Sequence, residues 1–125
     1  MGTTCKIWRV DDEGRLVFEG EEEAEELGLD EDGHLDLDQA WPYLEAICEA
    51  AGGVSPFDDE SLDEDATKEL STQLRPLKWP DALELARDEF PDEDAISYAK
   101  PYYQAFRKLV LRASKEGTGL HIELL

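Results

Sequence analysis

Short β-rich runs lie at both ends of the chain. Residues 6–10 and 15–18 are separated by a turn sequence that ends at Gly14, and this order predicts an N-terminal hairpin. Residues 119–125 alternate poorly but contain Leu120, Ile122 and Leu124, as expected of a terminal strand with one buried face. We therefore expect a small sheet to which both ends of the chain contribute.

The segments between these ends follow the period of helices that bury one face. A short acidic helix is expected to end at Gly28. The next helix carries Pro42 in its first turn, where proline is tolerated, and ends at Gly52-Gly53. Asp36 or Asp38 is in position to cap it. This second helix has the most regular apolar stripe in the first half of the chain.

Further helices follow a loop over residues 54–60. Ser61 and Glu64 have the spacing of a capping box ahead of one helix, and a short helix comes after it. In the last and longest helix, Pro101 either kinks the helix or starts its main body, and Gly117 ends it.

This order of elements predicts one α+β domain over residues 1–125. The small sheet is built from the N-terminal hairpin and the C-terminal strand and is packed with four to five helices. No apolar stretch approaches the ~20 residues that cross a bilayer. The chain has two cysteines, too few for a disulfide framework, and no secretory signal at its start. We expect a cytoplasmic protein.

Charge is the most unusual property of the chain. It contains 32 acidic and 12 basic residues, for a formal net charge of −20. Nearly all of the excess lies in residues 11–65, where Arg15 accompanies 22 acidic residues. Such a surface repels nucleic acid and anionic membranes and attracts basic proteins or cations. Solubility and adaptation to high salt are the plainer explanations, although residues 95–125 carry five basic and two acidic residues, which an even salt-adapted coat does not predict.

The densest acidic run lies between residues 58 and 65, around the predicted capping box. Carboxylates this close are able to bind an Arg-rich partner surface or a cation, and a solvated loop and helix start is the plainer explanation. Two tyrosines fall off the apolar stripes, and exposed tyrosines are common in binding hot spots. The candidate partner-binding residues are therefore Asp58, Asp59, Glu60, Asp63, Glu64, Asp65, Tyr43 and Tyr98.

One segment partly matches a calcium-binding loop. Asp30, Asp32 and Asp36 stand at ligand positions of an EF-hand, but Gly28 and Gln39 replace the first ligand and the closing glutamate. Aspartate and glycine are also the residues that turns and caps prefer. We interpret the segment as a turn, keep its three aspartates as weak metal candidates, and predict no metal and no other cofactor.

The residues that most often act as nucleophiles or bases give little support to catalysis. Cys5 falls in a predicted strand and Cys48 on a buried helix stripe, where free cysteine behaves as a small hydrophobe. His34 and His121 are isolated in sequence, and the spacing of the four residues fits no common zinc pattern. No catalytic residue is predicted.

Two segments and the Met-Gly start carry a resemblance. The first combines a Leu-Asp-Leu-Asp run with alanine and tryptophan, with Gln39 where lysine is frequent, and the second is the Tyr-containing last helix with its following strand. They resemble the YfbM-like family of small bacterial proteins of unknown function, over about half of the chain. The resemblance implies an α+β fold and a cytoplasmic bacterial origin, and no activity, cofactor or catalytic residue. The matching residues are Leu35, Asp36, Leu37, Asp38, Ala40, Trp41, Tyr102, Phe106, Ala113 and Gly117.

Two functions follow from these observations. The first is a non-enzymatic binding module, an immunity-type inhibitor or adaptor, whose acidic half engages a basic protein. The alternative is a metal-dependent or small-molecule enzyme that uses carboxylates of residues 30–38 and 58–65, which requires both groups to converge on one pocket. Neither nucleic acid nor a membrane is expected as a partner, and the sequence leaves the oligomeric state open.

Overall fold

The computed structural model describes residues 4–52 and 54–125, without the side chains of residues 58 and 59. Within this part of the chain four strands and seven helices form an α+β fold, which confirms the predicted class. Met1, Gly2 and Gly53, which entered the predictions above, lie outside the described residues. The elements are β1 (Cys5–Val10), α1 (Glu21–Leu27), β2 (Leu35–Asp38), α2 (Trp41–Ala51), α3 (Pro56–Asp59), β3 (Ser61–Leu62), α4 (Glu64–Leu74), α5 (Trp79–Arg87), α6 (Glu93–Ser97), α7 (Lys100–Glu116) and β4 (Gly119–Leu124).

The described strands form one antiparallel sheet in the order β2-β1-β4-β3. β1 pairs with β4 along its whole length, from Cys5 opposite Leu124 to Val10 opposite Gly119. Because side chains alternate across a strand, β1 turns Ile7 toward the helices, where it is fully buried, and leaves its even-numbered residues half-buried on the other face. The two ends of the chain thus meet in the sheet, as the sequence predicted.

The predicted hairpin is reduced to a single bridge. Residues 15–18 form no strand; Val10 bridges Leu16, and the Val17 amide donates to the Arg9 carbonyl at 2.9 Å. The strand that pairs with β1 on this side is β2, which we expected to be the approach to a helix. Its alternation of buried and more exposed residues is that of a strand, but four residues are too few to distinguish from the neighbouring helical stripe.

The expected cap of α2 is wrong. The helix begins at Trp41 after Ala40, and no side chain caps it. Asp36 Oδ1 instead accepts a hydrogen bond from the Asp38 amide at 2.8 Å, because β2 ends in a turn before the helix starts. The predicted ends of α1 and α7 are confirmed, since Gly28 and Gly117 both adopt the left-handed conformation.

The capping box is also wrong, because Ser61 belongs to β3. Asp63 caps α4, and its Oδ1 accepts from the Ala66 amide at 2.8 Å. Pro101 lies in the first turn of α7 and starts its main body, since α6 is a separate element. Seven helices are described against the four to five expected because α3 and α6 have four and five residues, too short to produce an apolar stripe.

The core lies between the sheet and the helices. α7 packs against β1, β2 and β4, while α4 packs against α7 and β4 and α2 packs against α4 and α5. Among the described residues, no helix is both long and apolar enough to cross a membrane. One charged residue lies deep inside this core: Arg9 of β1, at 1% exposure. Its position results from the alternation of β1 and requires buried partners.

Candidate functional site

The partners of Arg9 come from two helices. Its guanidinium pairs with Glu23 of α1 and with Glu116 at the end of α7. A second arginine, Arg112 of α7, lies with its Nη1 3.6 Å from Glu23 Oε2 and also pairs with Glu26. Because Glu23 is almost fully buried, this network holds α1 against α7 and β1. It therefore fixes the position of the acidic helix relative to the rest of the fold.

Three carboxylates converge at the same point. Glu19, Glu23 and Glu116 place one oxygen each within 4.8 Å of one another, and this is the grouping in the described part of the chain that could hold a metal ion. Arg9 already lies against two of the three. We therefore assign the convergence to the buried Arg9, whose charge compensates those of Glu23 and Glu116 as a bound cation would; Glu23 Oε2 itself accepts no hydrogen bond among the described residues.

An acidic groove runs along the outer side of α1. It has a volume of about 750 Å³. Its floor includes the half-buried side chains of Phe18 and Leu29, and no basic residue lines it among those described. The volume is within the range of ligand sites in proteins, roughly 300–1,000 Å³. We call this feature the α1 groove; its carboxylates belong to Glu21, Glu22, Glu25, Asp30 and Glu31.

Asp30 connects the α1 groove to the sheet. Its Oδ1 accepts from the amides of Asp32 and His34, at 2.9 and 3.0 Å, and its Oδ2 lies 3.5 Å from Lys6 Nζ. Burial raises the pKa of Asp30, but the two amide hydrogen bonds, with the nearby His34 and Lys6 charges, outweigh burial and hold the pKa below its ordinary value. The segment is the turn that we predicted.

The weak metal candidates do not come together. Asp30 lines the α1 groove and binds backbone amides, while Asp32 is exposed and Asp36 accepts from the Asp38 amide within β2. None of the three belongs to the convergent carboxylate group of the described residues.

The acidic run at 58–65 reaches a second cleft. Asp63 and Glu64 line it together with Asp11 and Asp12, beside the start of β4. This cleft measures about 370 Å³. Of the remaining candidates in the run, Glu60 and Asp65 are exposed, whereas the side chains of Asp58 and Asp59 lie outside the description. The two runs named for the enzyme alternative thus line different clefts, since Asp30 belongs to the α1 groove.

The candidate tyrosines lie elsewhere. Tyr98 is 42% exposed, donates its hydroxyl to Asp38 Oδ2 at 2.9 Å and packs against Tyr102. Tyr43 is half-buried, with its ring 4.6 Å from that of Phe90. Neither tyrosine lines the α1 groove or the cleft at Asp63. Tyr98 meets the expectation of exposure, and Tyr43 meets it in part.

The structure brings together the two histidines, which the sequence left isolated. Both contact Trp8 on the face of the sheet that the helices leave open, with ring centroids at 4.2 Å for His34 and 4.9 Å for His121. They approach Trp8 from β4 and from the turn before β2. Strand register determines the contact of His121, because His121 lies opposite Trp8 in the β1–β4 pair.

The cysteines are unsuited to nucleophilic chemistry. Both are fully buried, as the apolar patterns predicted. Burial, with a smaller contribution from Asp36, raises the pKa of the Cys5 thiol to about 12. A thiol with such a pKa stays protonated at neutral pH, and the protonated form is a poor nucleophile.

Comparison of the chain with family models, with curated proteins and with solved structures found no significant match. The resemblance to the YfbM-like family therefore stays a prediction. Sequence reasoning located the acidic half but missed the α1 groove, because it treated residues 21–27 only as a short acidic helix that ends at Gly28. The available signal was the pair of apolar residues, Phe18 and Leu29, that flank the acidic helix.

Proposed function

We propose that this protein is a non-enzymatic binding module, of the inhibitor or adaptor type, that engages a basic segment of a partner protein. The observation that carries the proposal is the α1 groove, which is lined by carboxylates together with the half-buried apolar side chains of Phe18 and Leu29. Arginine and lysine match both parts, since their aliphatic stems pack on apolar surface while their charged heads reach carboxylates.

The pairing of charges supports this use of the groove. Many acidic side chains of residues 11–65 have no ion pair among the described residues, and those of Glu21, Glu22, Glu25 and Glu31 in the groove are among them. Unpaired carboxylates of one sign produce a field that accelerates association with a basic partner. Ion pairs in that region are formed by Glu13, Glu23, Glu26, Asp30 and Glu64.

Binding is favoured over catalysis for two reasons. The carboxylates named for the enzyme alternative line separate clefts, whereas paired-carboxylate chemistry requires them on one substrate. Both thiols are buried. A cytoplasmic location also belongs to the proposal, supported by a cysteine count too small for a disulfide framework. A protein rather than a nucleic acid as partner belongs to it as well, supported by the net charge of −20.

A defined peptide tests the proposal. The probe is a fluorescent peptide in which arginine alternates with leucine, and its control is the same peptide with glutamate in place of arginine. The wild type is compared with E21Q/E22Q/E25Q, which removes three groove charges. The matched variant E49Q/E69Q/E89Q removes three exposed glutamates that line none of the described clefts.

We expect the groove variant to weaken peptide binding at least about tenfold, since three exposed charge contacts of about 0.5 kcal/mol each are lost. The matched variant should change affinity about twofold or less, and raising the salt from about 20 mM to about 500 mM should weaken binding by the wild type. Equal losses in both variants would mean that net charge alone attracts the peptide. That result, or no binding by the wild type, overturns the proposal.

A further inference from the structure

A basic cleft lies between the start of α5 and the first half of α7. Its volume is about 570 Å³, and no carboxylate lines it among the described residues. The total charge of −20 gives no indication of such a site. We call it the α5–α7 cleft; besides a proline and a glutamine, the residues that line it are Lys78, Trp79, Lys100, Tyr103, Arg107 and Lys108.

The lysines of this cleft differ from other cations of the protein in their pairing. Lys78, Lys100 and Lys108 are exposed, and none has an ion pair among the residues described. Half of the basic residues do have carboxylate partners: Lys6, Arg9, Arg15, Lys68, Arg87 and Arg112. Ammonium groups without a carboxylate partner keep their donors available for an external anion.

The inner wall of the cleft is held in place by hydrogen bonds. Arg107 Nε donates to the Leu74 carbonyl at 2.9 Å, and its Nη2 donates to the Arg75 carbonyl, so its charge is fixed at the end of α4. The buried Tyr103 donates its hydroxyl to the Leu77 carbonyl at 2.6 Å. These bonds fix one guanidinium and one aromatic ring at the wall before any ligand arrives, and such preorganisation favours binding.

An aromatic surface completes the site. Trp79 is half-buried, and the centroid of its ring lies 6.0 Å from that of Tyr103. The two helices also begin here, α5 at Trp79 and α7 at Lys100, and no side chain caps either start. Helix starts add positive potential to that of the lysines, so the charge and the flat apolar surface lie in one cavity.

We propose that the α5–α7 cleft binds a small organic anion that carries a planar ring next to a phosphate or carboxylate group. The anionic group is held by Lys78 and Lys100 in the field of Arg107, and the ring packs on Trp79. The cleft volume is within the usual range for ligands of drug or nucleotide size, roughly 300–1,000 Å³. This site is separate from the α1 groove and does not depend on the proposed partner.

Four probes separate the parts of this proposal, measured by isothermal titration. 1-Naphthyl phosphate and 1-naphthoate have the same ring with the two candidate anionic groups, 1-naphthol has the ring alone, and inorganic phosphate has the charge alone. The wild type is compared with K78Q/K100Q. The matched variant K68Q/K115Q removes the same charge from exposed lysines that do not line the cleft.

We expect at least one naphthyl anion to bind the wild type, and K78Q/K100Q to weaken it at least about tenfold. The matched variant should change affinity about twofold or less, while naphthol and inorganic phosphate should each bind at least about tenfold more weakly than the naphthyl anion. The tighter of the two naphthyl anions identifies the preferred group. Equal losses in both variants, or equal binding of naphthol or of inorganic phosphate, overturn the proposal.

The remaining outcome concerns a second copy of the chain, whose acidic half is another anion. Sedimentation of the wild type over a range of concentrations detects such pairing. If the wild type dimerises, K78Q/K100Q abolishes the dimer and naphthyl phosphate does not displace it, then the cleft is a self-association surface and the small-ligand proposal is wrong.

Discussion

The α1 groove and the α5–α7 cleft are similar in form and opposite in charge. Both have apolar side chains in the floor or wall and unpaired charged groups at the rim, but one rim is made of carboxylates and the other of lysines. They differ in how the basic residues near them are paired. Near the groove, the cations of β1 are used in ion pairs with Asp30, Glu23 and Glu116, whereas the cations of the cleft bind backbone carbonyls or have no described partner.

This difference shows how a strongly acidic chain can present a basic site. Net charge sets the average field, but pairing decides which charges remain available locally. Arg9 and Arg112 hold α1 to α7 through their ion pairs. The buried network therefore joins β1, α1 and α7, and its removal should have the largest effect on stability.

Arg9→Met should lower the free energy of unfolding by about 3–5 kcal/mol, because it leaves Glu23 buried with only the more distant Arg112 as a partner. Urea unfolding at neutral pH measures the loss. The control is Arg15→Met, whose ion pair with Glu13 is exposed and should contribute about 0–1 kcal/mol. Similar losses in the two variants would show that the buried ion pairs of Arg9 stabilise the fold no more than an exposed pair does.

Arg107→Met tests the cleft side of the comparison. It removes the hydrogen bonds to the Leu74 and Arg75 carbonyls at the end of α4, and bonds of this charged kind contribute about 1.5–3 kcal/mol. The neighbouring exposed Lys108 provides the control, since Lys108→Met should change stability by about 0.5 kcal/mol or less. If Arg107→Met behaves like its control, the arginine is a ligand-binding cation and not a part of the scaffold.

The sequence predicted the features that depend on hydrophobic periodicity and on the positions of glycine and proline. The stripes of α2 and α7, the ends at Gly28 and Gly117, and the pairing of both chain ends in one sheet needed no tertiary information. β2 was missed because four alternating residues fit a helical stripe equally well. The caps were misplaced because Asp36, Ser61 and Asp63 all have suitable side chains, and only the position of the strand ends decides between them.

The sites were less accessible to sequence reasoning than the fold. Charge counting located the acidic half, yet the groove depends on Phe18 and Leu29 lining one cavity with the glutamates of α1, which is decided by packing. The cleft joins residues from two helices that are far apart in sequence. Arg9 looked like an ordinary strand residue, because a sequence does not show which strand face is buried.

Asp30→Asn tests how the groove is joined to the sheet. Asparagine keeps the turn's acceptor oxygen but loses the charge facing Lys6, so at neutral pH the variant should be less stable by about 0.5 kcal/mol. Since folding lowers the pKa of Asp30, the benefit of its charge is present above its ordinary pKa of 3.8 and is lost as pH falls through the lower folded value. Urea unfolding between neutral and acidic pH should therefore show the gap between wild type and variant closing at low pH. The control is Asp32→Asn, which removes a charge with no described ion pair. If the stability difference between wild type and Asp32→Asn closes in the same way at low pH, the pH dependence does not come from Asp30.

The smallest predicted effect is a change in stability that has opposite signs at the two surfaces. It therefore distinguishes them most directly. Glu31 is exposed in the α1 groove and stands between Asp30 and Asp32 in the sequence. Glu31→Gln therefore relieves repulsion between carboxylates and should raise stability by about 0.3 kcal/mol at low salt. Lys108→Gln removes a cation near Glu25 and Glu26, so it should lower stability by a similar amount. Both changes should vanish near 1 M salt, where the screening length is about 3 Å. Thermal unfolding of the two variants at low and high salt measures both, and changes of the same sign would mean that the charges of groove and cleft are not separated in the way their pairing indicates.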